Sequence, residues 1–237
     1  MAITIKSTKD VRTNGVKCLV YGQAGSGKTR LCATAPSPII ISAESGLLSL
    51  REFDLPYIEV NSLSSLGDAY QWCVSSKEAH KYDTICIDSI SEIAEVVLKD
   101  CLNGKSSDGK KVHGMQAYGK LKEVMIELVK DFRDLKGKNV YLSAKEEKVK
   151  EDDFGGSFVY RLLMPGTKLA TEIPYLFDEV FQLETFLEED KQTKTKTTES
   201  FLRTGMSFKH ETKDRSGALD EWEFPDLTAI FEKIKNG

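Results

Sequence analysis

The sequence lacks long apolar runs, a surplus of positive charge and paired-cysteine spacing, and each absence removes a class of protein. No apolar stretch approaches the span of a bilayer, and the opening decapeptide MAITIKSTKD has no core of signal-peptide length. A cytoplasmic protein with no membrane partner is expected. The five cysteines, Cys18, Cys32, Cys73, Cys86 and Cys101, are odd in number and show no C-x-x-C pattern, which argues against a disulfide framework or a zinc site. They read as reduced, buried small hydrophobes. A formal net charge of -4 excludes a global basic field, so any nucleic-acid contact must come from local segments.

What is present is ordinary for a globular chain: 237 residues, 40% hydrophobic and 30% charged, enough for one sizeable α/β domain over 1–237 with an N-terminal lead over 1–16. Lys17 to Tyr21 reads as a strand, Lys28 to Ala35 as a helix stopped by Pro36, and Pro38 to Ser42 and Tyr57 to Val60 as further strands. Leu66 to Val74 follows as a helix. Thr84 to Asp88 is a continuous apolar strand ending in an acid, as a buried parallel strand requires. Helical spacing then runs through Ile90, Ile93, Ala94, Val97, Leu98 and Cys101, and again through Leu121, Val124, Leu128, Phe132 and Leu135. Asn139 to Ser143 is the next core strand. The charged stretch Lys145 to Asp153 reads as a long exposed connection. Asp178 to Leu183 and Ser200 to Arg203 read as late strands joined in a hairpin, with 186–199 expected to form a mobile loop. Asp226 is placed to cap a last helix carrying Leu227, Ile230, Phe231 and Ile234.

The chemistry concentrates between the first strand and the first helix. Gly22, Gln23, Ala24, Gly25, Ser26, Gly27, Lys28 and Thr29 form G-x-x-x-x-G-K-[ST], a loop whose backbone N–H groups turn inward around phosphates. In that motif Lys28 pairs with the β and γ phosphates of ATP and Thr29 ligates Mg²⁺. Asp88, at the end of a buried strand, suits the carboxylate that completes the Mg²⁺ shell, or else a helix cap. Ser89 follows it where many related ATPases carry a glutamate. The acid after the second strand, Glu44, becomes the candidate general base, the alternative being a solvated loop acid.

An acid after the second strand and the pair Asp88-Ser89 together resemble the RecA-like branch of P-loop ATPases. That implies a mainly parallel central sheet flanked by helices. Small size and the run Ile173-Pro174-Tyr175-Leu176-Phe177-Asp178 are similar to the phage nucleotide-binding proteins of the Sak type, RecA-like ATPases that support single-strand annealing. The resemblance implies single-stranded DNA as partner, a homo-oligomer in ring or filament form, and a single-strand DNA-binding protein as a further partner. Lys213-Asp214-Arg215 resembles the K-x-R element that supplies cations to a neighbour's γ-phosphate, so Lys213 and Arg215 would act in trans; the same run reads equally as a solvated turn. One departure stands out. RecA proteins end the strand matching Asn139 to Ser143 with a glutamine sensor, and here Ser143, Ala144 and Lys145 occupy those places.

Two segments are candidates for DNA. The first carries Lys105, Lys110, Lys111, His113 and Lys120 against Asp108. The second carries Lys148, Lys150, Phe154 and Phe158, with aromatics to stack on bases, and reads equally as a solvated hairpin whose aromatics face the core. Two further functions fit the same loop: a small-molecule kinase, for which no arginine-rich lid is visible, and a nucleotide-gated assembly module with negligible turnover.

Overall fold

The computed structural model of the chain describes residues 14–44, 47–104, 114–150, 156–189 and 196–237. In chain order the elements are β1 (Lys17–Gly22), α1 (Lys28–Leu31), β2 (Pro38–Ser42), β3 (Tyr57–Glu59), α2 (Leu63–Ser75), β4 (Thr84–Asp88), α3 (Ile90–Asn103) and α4 (Gly114–Arg133). They continue as β5 (Asn139–Lys150), β6 (Phe158–Leu162), α5 (Thr167–Glu172), β7 (Glu179–Glu189), β8 (Lys196–Arg203), β9 (Lys213–Asp214), β10 (Trp222–Glu223) and α6 (Leu227–Asn236). The main path of the sheet runs β10-β8-β7-β1-β5-β4-β2-β3, with β6 on β5 and β9 on β7. Pairings from β7 through β1, β5, β4 and β2 to β3 are parallel. Those of β7 with β8, β8 with β10, β5 with β6 and β7 with β9 are antiparallel. This is a RecA-like core in which β5 intervenes between the phosphate-loop strand and the strand bearing Asp88.

The apolar strands are continuous because both faces of the sheet are covered. Leu19 and Tyr21 of β1, Ile39 and Ile41 of β2, Ile85 and Ile87 of β4 and Val140 and Leu142 of β5 pack with α2, α3, α4 and α5 in one cluster. The alternate residues, Cys18, Val20, Ile40, Cys86 and Tyr141, pack with α1 and α6 on the other face. A period of two thus divides each run between two layers. All five cysteines are free and buried in these layers. The Asp226 carboxylate accepts from the Ala229 N–H at 3.1 Å, and Leu227, Ile230, Phe231 and Ile234 form the buried stripe of α6.

Some expected boundaries move. α1 ends at Leu31 and tightens into a 3₁₀ turn over Cys32–Thr34, while α2 starts at Leu63 behind the Ser62 cap. Lys145 to Asp153 is not an open connection as far as Lys150. β5 continues through that residue and pairs with β6, because Lys148 lies 4.1 Å from the Phe158 ring centroid and Arg161 pairs with Glu147 at 2.8 Å. Likewise 186–189 and 196–199 are strand, and only the intervening 190–195 lie outside the described residues.

Glu179, which opens β7, is buried at 3% exposure beside Asp214 of β9. Burial, reinforced by that neighbouring carboxyl, pushes its pKa up to about 8, and burial pushes Glu211 up to about 7. Both folded values exceed the ordinary carboxyl value, so between them the folded chain keeps protons that the unfolded chain has lost. Their contribution to stability is therefore greatest below the unfolded pKa and declines as pH rises through the folded values. Urea denaturation between pH 5 and 8.5 is expected to show a downward slope, which Glu179→Gln flattens.

Candidate functional site

The site begins where β1 runs out at Gly22. A Cβ there would stand 2.6 Å from the Leu183 carbonyl oxygen of β7 and 2.9 Å from Ser26 Oγ, so the neighbouring strand excludes a side chain. Gly25 and Gly27 are needed for another reason: their φ values of 80° and 102° lie in the left-handed region. The loop closes around the Lys28 ammonium, which donates to the carbonyls of Gly22 and Gln23, each at 2.7 Å. Burial lowers the Lys28 pKa, and the nearby Asp88 and Glu44 carboxylates oppose that shift. From below, the buried Tyr141 hydroxyl donates to the Lys28 carbonyl at 2.8 Å and fixes the start of α1 to β5.

Asp88 is 2% exposed and held on both oxygens. Thr29 Oγ1 donates to Oδ2 at 2.7 Å, and Ser143 Oγ donates to Oδ1. Burial raises the Asp88 pKa, while the two hydroxyls pull it back toward the charged form. The next residue, Ser89, donates its hydroxyl to Glu44 Oε1 at 3.0 Å, and the Glu44 backbone is tied to the Ser42 hydroxyl at the end of β2. Lys28, Thr29, Glu44, Asp88 and Ser89 thus line one cleft of about 430 Å³. Three segments converge on it: the loop after β1, the end of β2 and the end of β4.

The donor set suits Mg²⁺. Among the described residues no group of three or more His, Cys, Asp or Glu is placed to hold a metal ion. One hydroxyl and one carboxylate beside a phosphate loop match the way Mg²⁺ is held, by one or two protein oxygens with phosphates and water supplying the rest.

Other expected residues lie elsewhere. Lys213 pairs with Val180, which pairs with Leu19, whereas Gly22 pairs with Leu183. At about 3.3 Å per residue, Lys213 therefore sits roughly 10 Å down the sheet from the loop of its own chain. Its ammonium donates to the Pro174 carbonyl at 2.9 Å, and Arg215 pairs with Asp178 at 2.9 Å in an exposed ion pair. Lys145, one of the residues that stand where RecA proteins carry the glutamine sensor, is paired with Glu92. Lys148, Lys150 and Phe158 stand on the β5–β6 hairpin, while Lys105, Lys110, Lys111 and Phe154 lie outside the described residues. Of the run from Ile173 to Asp178, Ile173, Pro174 and Phe177 are buried and Tyr175 is exposed. Sequence reasoning missed Ser143 as a partner of Asp88. It also missed Gln182, whose amide donates to Glu146 at 2.7 Å beside the loop.

Comparison with known proteins places residues 14–216 in a match to the AAA_24 family, described as an AAA domain. No curated protein sequence matches the chain. Among solved structures, a KaiC-like protein of the hyperthermophilic archaeon Pyrococcus horikoshii OT3 superposes with a TM-score of 0.38 at 14% identity, covering 80% of this chain and 77% of that one. The flagellar accessory protein FlaH of Methanocaldococcus jannaschii superposes with a TM-score of 0.41 at 15% identity, with the same coverage of 80% and 77%.

Gly22→Ala tests the loop's close approach to β7. The added methyl must displace the Leu183 carbonyl or the loop, a strain of about 1 to 3 kcal/mol by analogy with overpacked sites. Chemical denaturation should show that loss, whereas a surface substitution such as Lys235→Ala should leave the midpoint in place.

Proposed function

The chain belongs to the AAA domain family, and from that premise we propose that it hydrolyses ATP as an assembled protein that binds single-stranded DNA and promotes annealing of strands, as the Sak-type resemblance implies. The observation that carries this reading is the course of β5. The same strand donates the Ser143 hydroxyl to Asp88, passes the cleft at Lys145 and Glu146, and continues into the hairpin that presents Lys148, Lys150 and Phe158. A change at the phosphate end therefore has a short, rigid route to a basic and aromatic surface.

In this reading the loop from Gly22 to Thr29 wraps the phosphates, and Lys28 leaves its two carbonyl partners for the β and γ phosphate oxygens. Thr29 and Asp88 would hold Mg²⁺, which would supply positive charge for phosphoryl transfer. Glu44, kept in place by the Ser89 hydroxyl, takes the proton of the attacking water. Lys213 and Arg215 reach the γ-phosphate of an adjoining subunit. Exposed ion pairs are worth about 0 to 1 kcal/mol, so the Arg215–Asp178 pair is readily exchanged for such a contact. Lys105, Lys110, Lys111 and Phe154, outside the described residues, are assigned to DNA binding from their sequence segments alone, with a single-strand DNA-binding protein as an accessory partner in the cytoplasm of a phage-infected host.

Lys28→Ala should abolish both ATPase activity and annealing. Glu44→Gln should lower turnover by about 10² to 10⁴-fold, in the range of a general base, while nucleotide binding persists. Turnover unchanged in Glu44→Gln would favour a module that binds nucleotide without hydrolysing it. Single-stranded DNA should raise the wild-type ATPase rate, and Lys148→Ala with Lys150→Ala should blunt that stimulation. A rate indifferent to every nucleic acid would count against the DNA reading.

A further inference from the structure

Two exposed apolar features stand far apart on the sheet. A single exposed apolar side chain is ordinary on a protein surface, so each gains meaning only beside the other. The first is the loop after β8, where Met206 is 87% and Phe208 99% exposed. Both ends of the loop are braced: Gly205 N–H donates to the Glu221 carbonyl at 3.2 Å, and the Lys209 carbonyl accepts from Tyr160 N–H at 2.7 Å. Within it, Lys209 N–H donates to Ser207 Oγ at 3.2 Å. Phe208 is held out as a knob.

The second is an apolar groove of about 340 Å³ beside β2 and β3, lined by Ile40, Leu47, Leu48, Leu50, Leu55 and Tyr57. Leu48 is 82% exposed there. An apolar cavity of about 150 Å³ admits benzene, so the groove has room for a phenylalanine ring. Its wall, the 3₁₀ turns over Leu47–Phe53, is tied to the phosphate-loop helix. Arg30 of α1 pairs with Glu52 at 2.8 Å and lies 5.3 Å from the Phe53 ring centroid.

The charges around the two features match. Exposed Lys209 and exposed Glu221, the latter 3.6 Å from Arg203, flank the knob, whereas Arg51 and Asp54 stand on the groove wall. Each charge beside Phe208 therefore has its opposite beside Leu48. In strand order β8 and β3 are six spacings apart, roughly 29 Å at about 4.8 Å each, so the knob does not reach the groove of its own chain. A knob and a complementary hole at different places on one chain make a heterologous contact, which repeats from copy to copy as a ring or filament.

We propose that Phe208 of one copy fills the Leu48 groove of the next. The inference rests on the assembled state in the reading above and names its surfaces. Sedimentation velocity tests it, on wild type, on Phe208→Asp, on Leu48→Asp and on an equimolar mixture of the two variants. Both side chains are exposed, so far-UV circular dichroism and the unfolding midpoint should match the wild type. Wild-type protein should sediment as a species larger than a dimer, and each variant alone should self-associate with an affinity lower by about tenfold or more, as loss of an aromatic anchor or its pocket implies. The mixture should give dimers and nothing larger, because only the groove of Phe208→Asp and the knob of Leu48→Asp are intact. Wild-type assembly in either variant, or a mixture that stays monomeric, overturns the contact and assigns assembly to other surfaces. A monomeric wild type overturns the contact and the assembled state together. A Phe208→Asp defect confined to binding of a single-stranded oligonucleotide also overturns it, and gives the ring to a base of the DNA.

Discussion

The Asp88 carboxylate is the point on which three separate parts of the chain depend. It is buried, and burial alone would favour its neutral form; the hydroxyls of Thr29 and Ser143 compensate the charged one. Those two hydroxyls belong to the phosphate-loop helix and to the strand next to β4. One acid therefore sets the spacing of β4, β5 and the loop at the end of the sheet. Removing it would leave the buried Ser143 hydroxyl without its acceptor, and replacing either hydroxyl would leave part of a buried charge unsatisfied.

The rest of the architecture delivers that acid to the loop. Parallel strands buried on both faces carry their C-terminal ends to one edge, so the glycine loop after β1, Glu44 after β2 and Asp88 at the end of β4 arrive together although far apart in sequence. β7 contributes from the other side. Its Leu183 carbonyl is why residue 22 has no side chain, and its Gln182 bonds to Glu146 of the continuing β5. The loop is thereby clamped between β5 and β7, with a cavity on each flank.

Much of this was legible in the sequence because it is local. The apolar runs KCLVY, PIIIS and TICID bound their strands to within a residue, and Asp226 marks the cap of α6 through a short-range side-chain bond. The glycine loop carries its own pattern. What was hidden depends on pairing. The outer half of β5 is a run of charges with no apolar alternation, and only cross-strand contacts, Lys148 on Phe158 and Glu147 with Arg161, make it a strand. Gln182 acquires its place from β7 lying parallel to β1, about 160 residues away in sequence, which no periodicity shows. Lys213 and Arg215 follow from the resemblance of Lys213-Asp214-Arg215 to a K-x-R element, and so short a pattern says nothing of which end of a sheet a short strand joins.

Asp88 and Thr29 together would make a Mg²⁺ site for a loop-bound nucleotide. It is tested most directly by titrating ATP into wild-type protein and into Asp88→Asn, with Mg²⁺ and with a chelator. Mg²⁺ should strengthen ATP binding to the wild type and have no such effect on a folded Asp88→Asn. An equal Mg²⁺ dependence in both proteins would contradict it.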